Sequence, residues 1–205
     1  RYEHLYRKLD FEMDMGAAGP IFGMDNVSGT NNKKFDALLP KIALSYRINE
    51  NIKPYASVSR GFREGGFNIT NQIGTSYDSE FTWNYEIGTK TQWLNNALTL
   101  NLAAFWIDWK DRQVEILSPD GSSFYIQNAG KATSKGVELE AMYRVMQGLD
   151  LNASFGYTYA KYDDYSPSEG EDYAGKFAVD SPRYTARIGA TYRFLDHWLI
   201  SAAYT

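Results

Sequence analysis

The chain has 205 residues, no cysteine and a formal net charge of -4, so it offers no disulfide framework, no thiolate metal site and no basic stripe to neutralise nucleic-acid phosphates. Aromatic residues are plentiful, with 16 Tyr, 11 Phe and 5 Trp, yet the mean hydropathy is polar at -0.47. No apolar run reaches the roughly 18 residues of a transmembrane helix, whereas strands that cross a bilayer in about 10 alternating residues are compatible with this balance.

Arg1-Tyr2-Glu3-His4 reads as the start of a strand and not as a signal peptide, which implies a mature or excised stretch. The first strand is expected over about residues 1 to 14, followed by a long polar connection from Met15 to Lys34 and a second strand over 35 to 47. A short turn at Asn49-Glu50-Asn51 leads into a strand over 52 to 62, and a second long connection runs from Arg63 to Glu80. From Phe81 to Trp93 period-two alternation is at its clearest: Phe81, Trp83, Tyr85, Ile87 and Trp93 alternate with Thr82, Asn84, Glu86, Gly88, Lys90 and Gln92. Asn95-Asn96 turns the chain into a strand over 97 to 112, which is longer than a bilayer needs and carries Asp108 and Lys110 on its apolar parity.

A third connection from Asp111 to Ser123 precedes a strand over about 124 to 145, in which Val137, Leu139, Ala141, Tyr143 and Val145 face one way and Glu138, Glu140 and Arg144 the other. After the turn from Met146 to Asp150 comes a strand over 149 to 162, then a fourth long connection from Lys161 to Pro182. The last complete strand, 183 to 194, sets Tyr184, Ala186, Ile188, Ala190, Tyr192 and Phe194 against Arg183, Arg187 and Arg193. Leu195-Asp196-His197 turns it into a strand from 198 onward. About nine strands therefore alternate short turns with long loops, the arrangement of outer-membrane barrels. Trp83 to Trp93 spans ten residues, which at about 3.3 Å each and a tilt of about 40° rise about 25 Å, the height of the apolar band between aromatic girdles.

Five motifs carry a resemblance: Lys53-Pro-Tyr-Ala-Ser-Val-Ser-Arg-Gly-Phe-Arg-Glu-Gly-Gly-Phe-Asn68, Trp83-Asn-Tyr-Glu-Ile-Gly-Thr-Lys90, Phe105-Trp-Ile-Asp-Trp-Lys-Asp111, Gln127-Asn-Ala-Gly-Lys-Ala-Thr-Ser-Lys-Gly-Val-Glu-Leu-Glu140 and Ser181-Pro-Arg-Tyr184. In this order and spacing the chain resembles the C-terminal half of a TonB-dependent receptor barrel, most closely the iron-siderophore branch with the receptors for pesticin and yersiniabactin. The resemblance implies an all-β fold, with residues 1–205 forming part of a transmembrane antiparallel up-and-down barrel that has 22 strands in the family. It implies import of a ferric siderophore or similar nutrient through the bacterial outer membrane, energised by TonB with ExbB and ExbD, with outer-membrane lipid around the wall. The plug, the TonB box and the closing strands are expected to lie outside this stretch, because Ala203-Tyr204-Thr205 stops within a strand pattern.

Candidate ligand contacts are Arg60, Phe62, Arg63, Phe67 and Asn68 at the strand-to-loop rim, and Tyr77, Tyr125, Tyr165 and Tyr173 in or near the long loops. An arginine there can give charge-assisted hydrogen bonds to an anionic chelate, and an aromatic with a polar tip can grip a catecholate or phenolate ring. Structural roles compete for the same residues: glycines shaping a tight rim, arginines pairing with neighbouring carboxylates, and tyrosines common to any outward loop. Glu86, Lys90, Glu138, Glu140, Arg144, Arg187 and Arg193 are expected to line the lumen as a set. Asp163-Asp164 with Glu169, Glu171 and Asp172 lacks the regular ligand spacing of a calcium loop. His4 and His197 stand far apart, no catalytic constellation emerges, and no covalently bound cofactor is expected. The competing functions are a passive outer-membrane channel without TonB coupling and a soluble all-β binding or enzyme domain, the latter requiring its apolar strand faces to be buried in a compact monomer.

Overall fold

The computed structural model describes residues 1–13, 27–68, 75–118, 121, 123–128, 130–166, 171–195 and 197–205. The expected loop residues from Met15 to Asn26, the loop acid Glu169 and the turn residue Asp196 lie outside the described residues. Fourteen strands are described: β1 Tyr2–Met13, β2 Val27–Leu38, β3 Lys41–Ser45, β4 Ile52–Arg63, β5 Gly66–Phe67, β6 Ser76–Tyr77, β7 Glu80–Trp93, β8 Leu98–Lys110, β9 Gln113–Leu117, β10 Phe124–Asn128, β11 Lys131–Met146, β12 Leu149–Asp164, β13 Tyr184–Phe194 and β14 Trp198–Tyr204. Eight of them form one sheet in the order β3-β4-β7-β8-β11-β12-β13-β14, every neighbour antiparallel. It is an open up-and-down meander with β3 and β14 at its edges.

The nine expected strands are recovered among the described residues as β1, β2 with β3, β4, β7, β8, β11, β12, β13 and β14. The second of them is broken at Leu39-Pro40, where the strand changes partner: β2 pairs with β1, and β3 pairs with β4. Pro40 has no N–H to give to a ladder, which suits it to this junction, and its carbonyl accepts from the Arg60 N–H at 3.0 Å. Residues 27 to 34, expected in a loop, instead pair with β1 in an arm extending beyond the main sheet. Likewise 113 to 117 is strand, and the single strand expected over 124 to 145 is two, β10 and β11. β10 turns back on β9, and β5 pairs with β6, so each of these connections carries a hairpin of its own.

The opposite turns are tight. Leu94, Asn95 and Asn96 take φ of 55, 52 and 66°, and Gly148 takes 86°, the left-handed backbone that short hairpins demand and that Asn and Gly adopt most readily.

Cross-strand register aligns each face. One row runs Ala56, Ile87, Ala104, Val137, Tyr157, Tyr184, and another runs Pro54, Thr89, Leu102, Leu139, Phe155, Ala186. This apolar face lies bare, with Ile87 65 % and Ile188 63 % exposed. Tyr85 and Trp106 bound it at the loop end, and Trp93, Tyr143 and Tyr192 at the turn end. A soluble monomer buries such a surface; a contiguous apolar band framed by aromatics is what hydrocarbon covers. The buried cluster of Val114, Ala132, Ala160, Tyr162, Tyr165 and Ala178 lies on the other parity, where the long loops fold over the strand ends.

Gly136 shows how tightly the strands fit. A Cβ there would sit 2.0 Å from the Tyr157 carbonyl oxygen and 2.7 Å from the Phe105 ring, so the backbone itself must shift to admit it. Gly136→Ala in the intact protein is expected to cost about 1–3 kcal/mol, measured as a lower temperature for conversion of the folded, fast-migrating gel band to the unfolded one.

Candidate ligand-capture mouth

Three polar side chains tie the long loops together at the polar-parity end of the wall. Glu80, at the start of β7, accepts from the Trp109 indole at 2.9 Å and from the Gln113 N–H at 2.8 Å. The buried Gln113 amide donates to the carbonyls of Glu64 at 2.8 Å and Asp78 at 3.2 Å. Asn128 donates to the carbonyls of Asp78 and Asp111 at 2.9 and 2.8 Å, and accepts from the Asp78 N–H at 2.7 Å. Amides serve here because each can donate and accept at once, satisfying backbone groups that no ladder reaches. None of the three was among the expected site residues, and nothing in period-two patterning marks them.

Asn68 adds a fourth tie. Its amide accepts from the Ile126 N–H at 2.8 Å and donates to the Ile126 carbonyl at 3.1 Å, imitating one rung of a sheet between residues 58 apart in sequence. It also donates to Thr75 Oγ1 at 3.2 Å.

Two clefts open among these loops. The first, of about 380 Å³, is lined by Arg63, Phe67 and Tyr77 with Arg7, Lys8 and Gln113. It is cationic, although Arg7 is held by Glu64 and Lys33 is held nearby by Asp78 at 2.7 Å. The second, of about 620 Å³, is lined by Tyr125, Tyr162, Tyr165 and Tyr173 with Val114, Ile116 and Glu171. Its rings pack in sequence, Tyr162 to Tyr165 at 4.9 Å between centroids and Tyr165 to Tyr173 at 5.7 Å. The Arg112 guanidinium lies 5.5 Å from the Tyr162 ring centre and 5.4 Å from that of Trp109. Backbone bonds from Tyr173 N–H to the Tyr165 carbonyl and from Gly175 N–H to the Tyr162 carbonyl, at 2.9 and 2.7 Å, fold the loop onto the end of β12.

Burial pushes the Tyr165 phenol up to about 12, with neighbouring Tyr162, Tyr173, Tyr125 and Glu171 adding to the rise. It therefore stays neutral, a donor and not a phenolate, at any physiological pH.

The expected site residues divide four ways. Arg63, Phe67 and Tyr77 share the first cleft, and Tyr125, Tyr165 and Tyr173 share the second. Asn68 is the fastening between them. Arg60 and Phe62 lie on the apolar parity, in rows with Trp83 and Phe81. There the Arg60 guanidinium caps the Phe81 ring at 4.2 Å and donates to the Leu38 carbonyl at 3.2 Å. Tyr162 was not among the expected contacts, yet it is an aromatic on the wet parity of β12, and counting the alternation past Ala160 finds it. Asp163 accepts from the Thr133 hydroxyl at 2.6 Å, and Asp172 caps the Ala174 N–H at 2.8 Å, so both acids serve the loop fold.

Below the mouth, the register places Glu86, Lys90, Glu138, Glu140, Arg144 and Arg187 on one face. Arg193 joins them through Asp150, which holds Arg193 at 2.5 Å and Arg144 at 3.3 Å.

Residues 14–205 match the family model described as TonB dependent receptor-like, beta-barrel. The chain belongs to this family. Among its relatives, the metal-pseudopaline receptor CntO of Pseudomonas aeruginosa is 28 % identical over 168 residues, which cover 81 % of this chain and 22 % of that protein. The pesticin receptor of Yersinia pestis is 29 % identical over 154 residues, covering 74 % of this chain and 22 % of its own. The crystal structure of the ferric yersiniabactin uptake receptor FyuA from Yersinia pestis superposes with a TM-score of 0.68 at 23 % identity, over 93 % of this chain and 27 % of that one. The chain thus spans about a fifth of the length of these curated relatives. Family barrels of this type reside in the bacterial outer membrane, and the family is one of receptors, not enzymes.

Two measurements check the mouth. Asn68→Ala removes the rung to Ile126, whose amide is expected to exchange hydrogen about ten to a hundred times faster, the loss of a buried hydrogen-bonded amide being about 1–3 kcal/mol. Raising the pH through about 10 ionises an ordinary tyrosine while the folded state keeps the Tyr165 proton. The folded state then binds more protons than the unfolded one and loses stability between about 10 and 12. Ultraviolet titration should show one fewer late phenol in Tyr165→Phe than in the parent protein.

Proposed function

We propose that the protein to which this wall belongs is an active outer-membrane importer of a ferric siderophore or similar metal chelate. The observation that carries the reading is the cleft of packed tyrosines on the lumenal parity, closed over by loops at the mouth of a family barrel. A cleft of about 620 Å³ suits a drug-sized ligand, and rings with polar tips suit one that is partly aromatic and partly hydrogen-bonding. By name the relatives are receptors for metal-pseudopaline and for pesticin, and the first is in keeping with a metal chelate. Arg63 and Arg112 supply positive charge for an anionic complex. The plug and the closing strands belong to the remainder of the protein, and coupling to TonB with ExbB and ExbD runs through that remainder.

A passive channel is the competing function. It conducts ions without an energy source, whereas an importer needs the proton gradient. Growth of a deletion strain under iron limitation, with and without the intact gene, on a panel of ferric chelates separates them. Rescue on at least one chelate, abolished when TonB is removed, is the expected result; rescue independent of TonB favours the channel, and no rescue on any iron source points to cobalamin, haem or carbohydrate. With the rescuing chelate in hand, Tyr125→Ala and Tyr173→Ala should each weaken binding about two- to tenfold, the range for one aromatic contact, read by fluorescence quenching.

A further inference from the structure

The β1–β2 arm meets the rest of the mouth through one row of its ladder. Arg7 and Lys33 stand opposite each other in register, on the parity whose neighbours Phe35 and Ala37 are buried. Arg7 is held by Glu64, and Lys33 Nζ donates to Asp78 at 2.7 Å and to the Ser76 hydroxyl at 3.1 Å. Lys8, the next cation along β1, is taken up inside the arm by Asp10 at 2.9 Å. The two acids that receive the arm flank β5 and β6. The fit between them and the arm leaves no slack: a Cβ on Gly65 would lie 2.7 Å from the Phe35 ring and 2.3 Å from the Tyr77 carbonyl oxygen.

Glu64 and Asp78 also carry the β9–β10 hairpin. The Gln113 amide donates to both of their carbonyls, at 2.8 and 3.2 Å, and Asn128 bonds to the Asp78 N–H and carbonyl at 2.7 and 2.9 Å. Gln113 and Asn128 face each other across the base of the hairpin, at the end of its register. Each acid is thus gripped twice, by its side chain from the arm and by its backbone from the hairpin. The same hairpin gives Val114, Ile116 and Tyr125 to the tyrosine cleft, whereas neither Arg7 nor Lys33 is among the described residues that line it. One exposed ion pair contributes little, because long side chains lose freedom in forming it and salt screens it. Two pairs on one row, closing on acids whose backbones are already fixed, form a network that orders fewer free groups and acts together.

We propose that Arg7 and Lys33 are positioning residues for the tyrosine cleft: through Glu64 and Asp78 they set the β9–β10 hairpin, and with it Tyr125. The wall below is fixed by its own ladder, so this control reaches the hairpin and not the strands beneath it. Its meaning for ligand capture rests on the import reading above. The positioning itself is measured without ligand, so either can fail while the other stands.

The test is amide hydrogen exchange, read by mass spectrometry on the full-length protein in neutral detergent without ligand. Arg7→Gln and Lys33→Gln should each speed exchange in β9 and β10 about two- to fivefold, the range for one exposed pair, and together about tenfold. Arg7→Lys and Lys33→Arg keep the charge and should restore the parent rate. Lys34→Gln removes the same charge from the opposite face of β2 and should leave the hairpin unchanged, and the β7–β8 ladder should keep its rate in every variant. Unchanged hairpin exchange in the double variant, equal acceleration in Lys34→Gln or in the β7–β8 ladder, or no recovery in the conservative variants would overturn the positioning role. Heat-modifiable gel mobility establishes that each variant is folded, and the single variants decide the matter where the double variant is not. With a rescuing chelate in hand, Lys33→Gln, which lies outside the lining of both clefts, should weaken its binding about two- to fivefold. Unchanged binding beside faster hairpin exchange would sink the link to capture, and a parent protein that binds no chelate would sink the import reading alone.

Discussion

A strand that crosses hydrocarbon has no water to satisfy its backbone, so every N–H and C=O in it must find a partner in a neighbouring strand. From that constraint the rest of this chain follows. The ladder must be continuous, which gives the meander of β3, β4, β7, β8, β11, β12, β13 and β14. Because the ladder fixes side chains at period two, one face is given to lipid and the other to the lumen, and a one-residue slip anywhere would exchange them. The register lets none occur inside the apolar band: irregularities in the β11–β12 ladder fall between Lys131 and Ala132 and between Arg144 and Met146, at its two ends.

This is also why the wall was legible in the sequence. Alternation such as Trp83, Tyr85, Ile87 against Asn84, Glu86, Gly88 reports two solvents directly, and turns such as Asn95-Asn96 report the left-handed backbone they must adopt. What alternation cannot report is a segment whose partner is chosen by a distant side chain. The β9–β10 hairpin is held by Asn68 from one loop and by Gln113 and Asn128 bridging others. Single amides acting across dozens of residues leave no periodic trace. The break at Pro40 is a different case, since the proline was in view but the exchange of partners from β4 to β1 is a tertiary fact. Arg60 and Phe62 show a third limit: loop-rim position suggests ligand contact, while parity, counted from Val58, sends both to the outer face.

The mouth is built on a different principle from the wall. Its apolar cluster is small, and its coherence comes from amides and one carboxylate meeting backbone groups that would otherwise be unpaired. Such ties are short in reach and individually modest, about 1 kcal/mol net each. Loops fastened this way sit in a defined arrangement around the tyrosine cleft, held by bonds that lie outside the ladder below.

The two faces of the wall meet their solvents with different precision. On the lumenal face, charge is spread along the strands and partly paired, as with Asp150 between Arg144 and Arg193, which suits water and a moving solute. On the outer face, charge is absent through the apolar band and then returns at the loop end, where Arg60, Lys135 and Lys161 each lie against an aromatic ring. Asp108 and Asp163 stand among them, accepting from an indole and a hydroxyl, neutral donors that cancel none of their charge, so the loop end of this face carries both signs. Rings and charges of both signs, met only beyond the apolar band, mark the level at which hydrocarbon gives way to water.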